Sequence, residues 1–180
     1  MGKPFSILHI SDLHRSPDDP ISNEELVSAL VRDRDQFSLE RPTIPVPEAV
    51  VVSGDLIHGV PLNTADHAKE LSRQYSVAEE FLDALATRFL SGDRSRVIII
   101  PGNHDIDWNT AFSAMQPVDV KDYPKNIASL LHQENSIYRW DWKTFTLYRI
   151  SDPDMYARRL QEFWTFFKRF YSGMGGLHGC

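Results

Sequence analysis

The sequence predicts an α/β fold. Three short β-branched runs alternate with two stretches of helical periodicity, and each run leads straight into side chains that bind cations. The order is β-α-β-α-β, which calls for right-handed crossovers and a largely parallel sheet with flanking helices.

The first run is Phe5-Ser6-Ile7-Leu8-His9-Ile10, the second Ala49 to Ser53, the third Arg96 to Ile100. The last two lack polar alternation, so the strands are expected to be buried on both faces. A helix is expected from Asn23 to about Phe37, with Leu26, Val27, Leu30 and Val31 on one face. Ser22 or Asn23 would cap it, and Glu24 and Glu25 fall in its first turn. A second helix is expected from Thr64 to Leu90, where Leu71, Tyr75, Ala78, Phe81, Leu82, Leu85 and Phe89 recur at helical spacing. Arg41 to Pro47 is a proline-rich connector and should be extended; Pro17 to Pro20 should be a loop.

Beyond Asp107 the pattern thins. Residues 126–132 read as a short helix, and Phe145 to Ile150 fits either strand or helix. Asp152 caps a helix with Pro153 in its first turn, running to about Tyr171. Its stripe of Tyr156, Leu160, Phe163, Trp164, Phe167, Phe170 and Tyr171 reads as packing rather than as a base-stacking platform. Residues 172–180 have the composition of a loop.

The 180 residues suffice for one domain. Hydrophobic residues make up 42% and charged residues 24%, as in ordinary globular chains. No apolar stretch approaches the roughly 18 residues of a membrane span. The start carries no signal-like apolar segment, so a cytoplasmic location is expected. Met1-Gly2 and Ser6 fit a loose myristoylation pattern, read here as an ordinary start to a strand. Cys180, the single cysteine, is expected to be an idle surface thiol. Net charge is −6, with 10 basic against 19 acidic residues in 1–120 and 9 against 6 in 121–180. That balance argues against a broad nucleic-acid surface while leaving a nucleotide or a nucleic-acid end open as substrate.

The residues after the three runs make chemical sense together. Ser11-Asp12-Leu13-His14 follows the first, Gly54-Asp55-Leu56-Ile57-His58 the second, and Pro101-Gly102-Asn103-His104-Asp105 the third. Ligands of an open α/β sheet bind beyond the carboxyl ends of its strands, so the three segments should converge. Asp12 and His14 alternate, so an extended backbone could aim both at one cation. Asp55 follows a glycine, where the chain can turn sharply. A carboxylate can bridge two cations about 4 Å apart. Asn103 offers a neutral oxygen. Mixed imidazole, carboxylate and amide donors suit Mn, Fe or Zn.

In this ordered trio the sequence resembles the calcineurin-like metallophosphoesterases. The match is D-x-H at Asp12 and His14, G-D-x-x-H at Gly54, Asp55 and His58, and G-N-H-D from Gly102 to Asp105, over residues 5–108. The resemblance implies half of a four-layer α/β/β/α sandwich. It implies hydrolysis of a phosphomono- or phosphodiester by a hydroxide that two divalent cations activate. Asp12 and His14 would bind the first metal, Asp55 would bridge both, and Asn103 would bind the second. His104 would act on the phosphoryl oxygens or protonate the leaving group instead of binding metal, and Asp105 would orient it. The G-D-L-I-H segment also looks like that of the DNA-repair nuclease branch.

The family pattern continues with an isolated histidine and a G-H-x-H motif, and this chain has no G-H-x-H. Downstream, His132 and His178 remain as weak ligand candidates. Three explanations compete: a C-terminally incomplete chain, favoured because the aromatic helix has no evident packing partner; a degenerate, non-enzymatic scaffold; or ligands from a partner chain. Other residues take plain readings. His58 is expected to line the rim, His9 to sit in the core, His67 to be solvated and Trp108 to pack. Arg15 is placed equally between substrate phosphate and surface.

Overall fold

A computed structural model describes residues 5–172. The readings made of Met1 and Gly2, of His178, of Cys180 and of the loop-like stretch after Ser172 fall outside them.

Three parallel strands form the first sheet: β1 (Ile7–Ile10), β2 (Ala49–Ser53) and β3 (Val97–Ile100), in the order β1-β2-β3. The register pairs Ile10 with Val52 and Val52 with Ile99, so the three strand ends lie level. Helix α1 (Asn23–Arg34) joins β1 to β2, and α2 (His67–Leu90) joins β2 to β3. Ser22 caps α1 in a full capping box with Glu25. Helix α2 begins three residues later than its periodicity suggests, because Asn63 and Asp66 take left-handed backbone angles and hold a turn there.

The expectation of strands buried on both faces is corrected. Val50, Val52, Val97 and Ile99 face a core built with α1, α2 and the aromatic helix. The alternate residues Ile7, Ile98 and Ile100 are about half exposed. Successive strands in simple order, joined by crossovers of one hand, put both helices on the same side of the sheet. His9 lies on the open face with its ring bonded to Ser53 Oγ, so it is no core histidine.

A second, antiparallel sheet has the order β4-β6-β5, from β4 (Met115–Pro117), β5 (Tyr138–Asp141) and β6 (Thr146–Ile150). Phe145 to Ile150, left open between strand and helix, is mostly strand. The short helix α3 (Trp108–Ser113) precedes this sheet, capped by Asp107 on Thr110. Helix α4 (Ile127–Leu131) matches its expected place.

Asp152 does cap a helix with Pro153 in its first turn. The helix does not run unbroken to Tyr171. It ends as α5 (Pro153–Ala157), passes through a tight turn at Arg158–Leu160 and resumes as α6 (Gln161–Phe170). At the break the Arg159 carbonyl accepts from the Asp107 N–H at 2.8 Å, a bond outside the helix. Within the aromatic stripe Phe163 and Phe170 are fully buried, whereas Trp164 is 46% exposed; Phe166, outside the stripe as read from the sequence, is also buried and stacks on Tyr75 of α2. The partner missing from the sequence is therefore α2, so the aromatic helix no longer favours one of the three explanations above. Among the described residues no helix is long and apolar enough to cross a membrane.

Candidate metal centre

The three strand ends are laced together by their own backbones. Beyond β1, the N–H groups of Asp12, His14 and Arg15 donate to the carbonyls of Gly54, Asp55 and Leu56. Gly54 N–H donates to the Ile100 carbonyl at 2.8 Å. The three motif segments are thus locked in register past the sheet.

The backbone there is unusual. Asp12, His14 and Asp55 have φ of 54°, 47° and 52°, in the left-handed region that non-glycine residues avoid. Each such residue costs about 1–3 kcal/mol and persists only where its surroundings enforce it. The extended backbone expected between Asp12 and His14 is therefore corrected: the segment curls, and the link to Gly54–Leu56 holds it curled.

One ligand atom from each of His14, Asp55 and His104 lies within 4.8 Å of the others. The His14 and His104 rings meet edge-on at 4.5 Å, and the His58 ring stands about 6 Å from both. His14 Nδ1 is buried without a hydrogen-bond partner among the described residues. Asp55 Oδ1 accepts from the His104 backbone N–H at 2.9 Å. Asn103 is exposed and lines a cleft with His58 and His104, and its carbonyl accepts from Trp108 Nε1. Asp12 is exposed and stands outside the three-residue group.

His104 Nδ1 lies 2.6 Å from the His58 carbonyl. A carbonyl only accepts, so Nδ1 carries the proton in this bond and Nε2 is left for other chemistry. Asp105 behaves differently from expectation. Its carboxylate accepts from the N–H groups of Gly102 (2.8 Å) and Leu56 (3.2 Å) and from the Tyr75 hydroxyl (3.2 Å). None of its bonds among the described residues reaches the His104 ring. Asp105 clamps the second and third motif loops, and the His58 backbone orients His104. Burial pushes the Asp105 carboxyl above the usual carboxylate range; its three hydrogen bonds oppose that shift and nearby Asp55 adds to it.

The plain readings fare unevenly. Arg15 is buried, held by Asp19, Asn23 and the Ile21 carbonyl, so it is not a surface residue. His67 is half-buried, with Nδ1 2.9 Å from Asp107, so it is not simply solvated. His58 sits exposed at the rim. His132 ends α4, exposed and outside the His–Asp group. Tyr75, which ties the site to α2, was missed: in sequence it is one more apolar position on a helix.

A family model for calcineurin-like phosphoesterases matches residues 5–172. The chain belongs to that family. No curated protein matches the chain significantly. Calcineurin-like phosphoesterases are hydrolases of phosphate esters that bind divalent cations. The residues present fit such ions: the imidazole nitrogen of His14, without a partner among the described residues, and the adjacent Asp55 carboxylate form a mixed donor set.

Proposed function

We propose that this calcineurin-like phosphoesterase hydrolyses phosphomono- or phosphodiesters with two divalent cations, Mn, Fe or Zn. The convergence of His14, Asp55 and His104 from three separate strand ends carries the reading. The left-handed backbone at Asp12, His14 and Asp55 supports it, since such conformations cluster at functional sites. When bound, the cations supply a water-derived nucleophile at neutral pH and offset charge on the phosphoryl oxygens.

The chain's own residues take the remaining tasks. Asp12 and His14 would hold the first cation and Asn103 the second, with Asp55 shared between them. His104, its ring fixed through Nδ1, offers Nε2 to the phosphoryl group or the leaving oxygen. Asp105 keeps the Asp55 and Asn103 loops at fixed separation and holds no proton in transit.

The test is hydrolysis of bis-p-nitrophenyl phosphate by the full chain with Mn²⁺. Turnover is expected, and Asp55→Asn should reduce it to background while circular dichroism stays unchanged. Full metal occupancy without turnover on mono- or diesters would overturn the proposal and leave a scaffold.

A further inference from the structure

An open cleft of about 600 Å³ adjoins the metal centre, lined on the centre's side by His58, Asn103 and His104. Trp108 and Phe112 of α3, Trp140 and Tyr148 of the second sheet, and Trp142 of the β5–β6 turn supply five flat rings to it. Phe112 meets Tyr148 edge-on at 5.2 Å, and Trp142 meets Trp140 edge-on at 6.0 Å. Trp142 is nonetheless 77% exposed. A large ring held at the mouth of a cleft, with most of its surface wet, is placed to cover something flat.

The polar groups narrow what that is. Lys143 and Thr144 also line the cleft beside Trp142. Asp141 holds the turn in shape, accepting from the Lys143 N–H at 2.9 Å and the Thr144 hydroxyl at 2.7 Å. Flat rings with fixed polar groups at their edge suit a heteroaromatic ring that carries its own donors and acceptors. A simple aryl or alkyl group would leave the polar edge unused. The cleft adjoins the His14–Asp55–His104 group through His104, so a group seated here lies next to where the phosphate ester would be held.

We propose that the cleft takes the nucleobase of a nucleoside phosphate ester, with Trp142 stacked on the base. The assignment rests on the phosphoesterase reading above and names its substrate class. The base has two sources, a free nucleotide or the end of a single strand.

The experiment uses the full chain with Mn²⁺ and two esters sharing one leaving group: the p-nitrophenyl ester of thymidine 5′-monophosphate and methyl p-nitrophenyl phosphate. The ratio of kcat/KM values should favour the thymidine ester by tenfold or more. Trp142→Ala should cut that ratio about tenfold, the size of one lost base–aromatic stack. A ratio near one, or a ratio unmoved by the substitution, overturns the proposal. A binding arm keeps the test independent of turnover. Quenching of tryptophan fluorescence should show thymidine 5′-monophosphate binding at least tenfold more tightly than ribose 5-phosphate or phenyl phosphate. Equal affinity for phenyl phosphate overturns the base assignment even if neither ester is hydrolysed. Failure of hydrolysis with selective nucleotide binding sinks the enzyme reading and keeps the cleft. As competitors, thymidine 5′-monophosphate and a 5′-phosphorylated oligothymidylate separate the sources; either order of potency supports a base in the cleft.

Discussion

His104 shows how one backbone bond can assign a side chain's task. The His58 carbonyl fixes the Nδ1 proton, so Nε2 is the atom that faces chemistry. If Nε2 protonates the leaving group, its loss should matter only where the leaving oxygen is a poor one. His104→Ala is expected to slow hydrolysis of an alkyl phosphate ester by about 10²–10⁴-fold, the range of general acid catalysis. Hydrolysis of a p-nitrophenyl ester should fall far less, because that anion departs unaided. Equal losses on both esters, measured as kcat, would move His104 to metal binding or phosphoryl contact. Gly102 is as tightly constrained: a Cβ there would overlap Asp55 Oδ1 and its backbone nitrogen. The glycine of G-N-H-D is therefore a steric requirement of Asp55, whereas the Asp of that motif is a clamp.

At the scale of elements, α2 joins the core to the site. Its Tyr75 hydroxyl bonds Asp105, and the ring of Tyr75 stacks on Phe166 of α6 at 5.1 Å. Burial pushes the Tyr75 hydroxyl far above its ordinary pKa, with the Asp105 charge adding to the shift. The two helices are also pinned by the Arg169–Glu79 ion pair and by Arg94, which donates to the Phe170 carbonyl. Phe166 is 1% exposed, so Phe166→Ala should destabilise the chain by about 3–5 kcal/mol. The expected signature is a lower urea midpoint with an unchanged slope. A shift under about 1 kcal/mol would mean that α6 adds little to the core. The strands β4 and β5 escaped the sequence for a physical reason. They are as short as β1 to β3 but, unlike them, carry no β-branched run, and it is pairing with β6 that makes them strands.

For the whole molecule, the centre ties stability to cations. Residues 1–120 carry 19 acidic against 10 basic side chains, and the Asp55 charge adds to the upward push that burial gives the Asp105 carboxyl. Cations binding only the folded chain should stabilise it by about 2.7 kcal/mol at a hundred times Kd. For a chain of this size that is roughly 5–10 °C in Tm. Thermal denaturation should show this rise with Mn²⁺ and its reversal with EDTA, and Asp55→Asn should blunt it. A Tm indifferent to Mn²⁺ up to millimolar concentration would contradict a metal centre.

The sequence by itself determined the parallel sheet, its two crossover helices and the three post-strand segments that meet at one end. It could do so because those features are local: β-branched runs, helical spacing, and side chains fixed within a few residues of a strand end. Only the tertiary structure decided how each of those side chains is used. The curled backbone at Asp12, His14 and Asp55 comes from bonds between segments about forty residues apart. The Asp105 clamp, the exposure of His9 and the aromatic cleft likewise depend on partners distant in sequence. A residue type states what chemistry is available, and the contacts made across the fold decide which of those possibilities is left open.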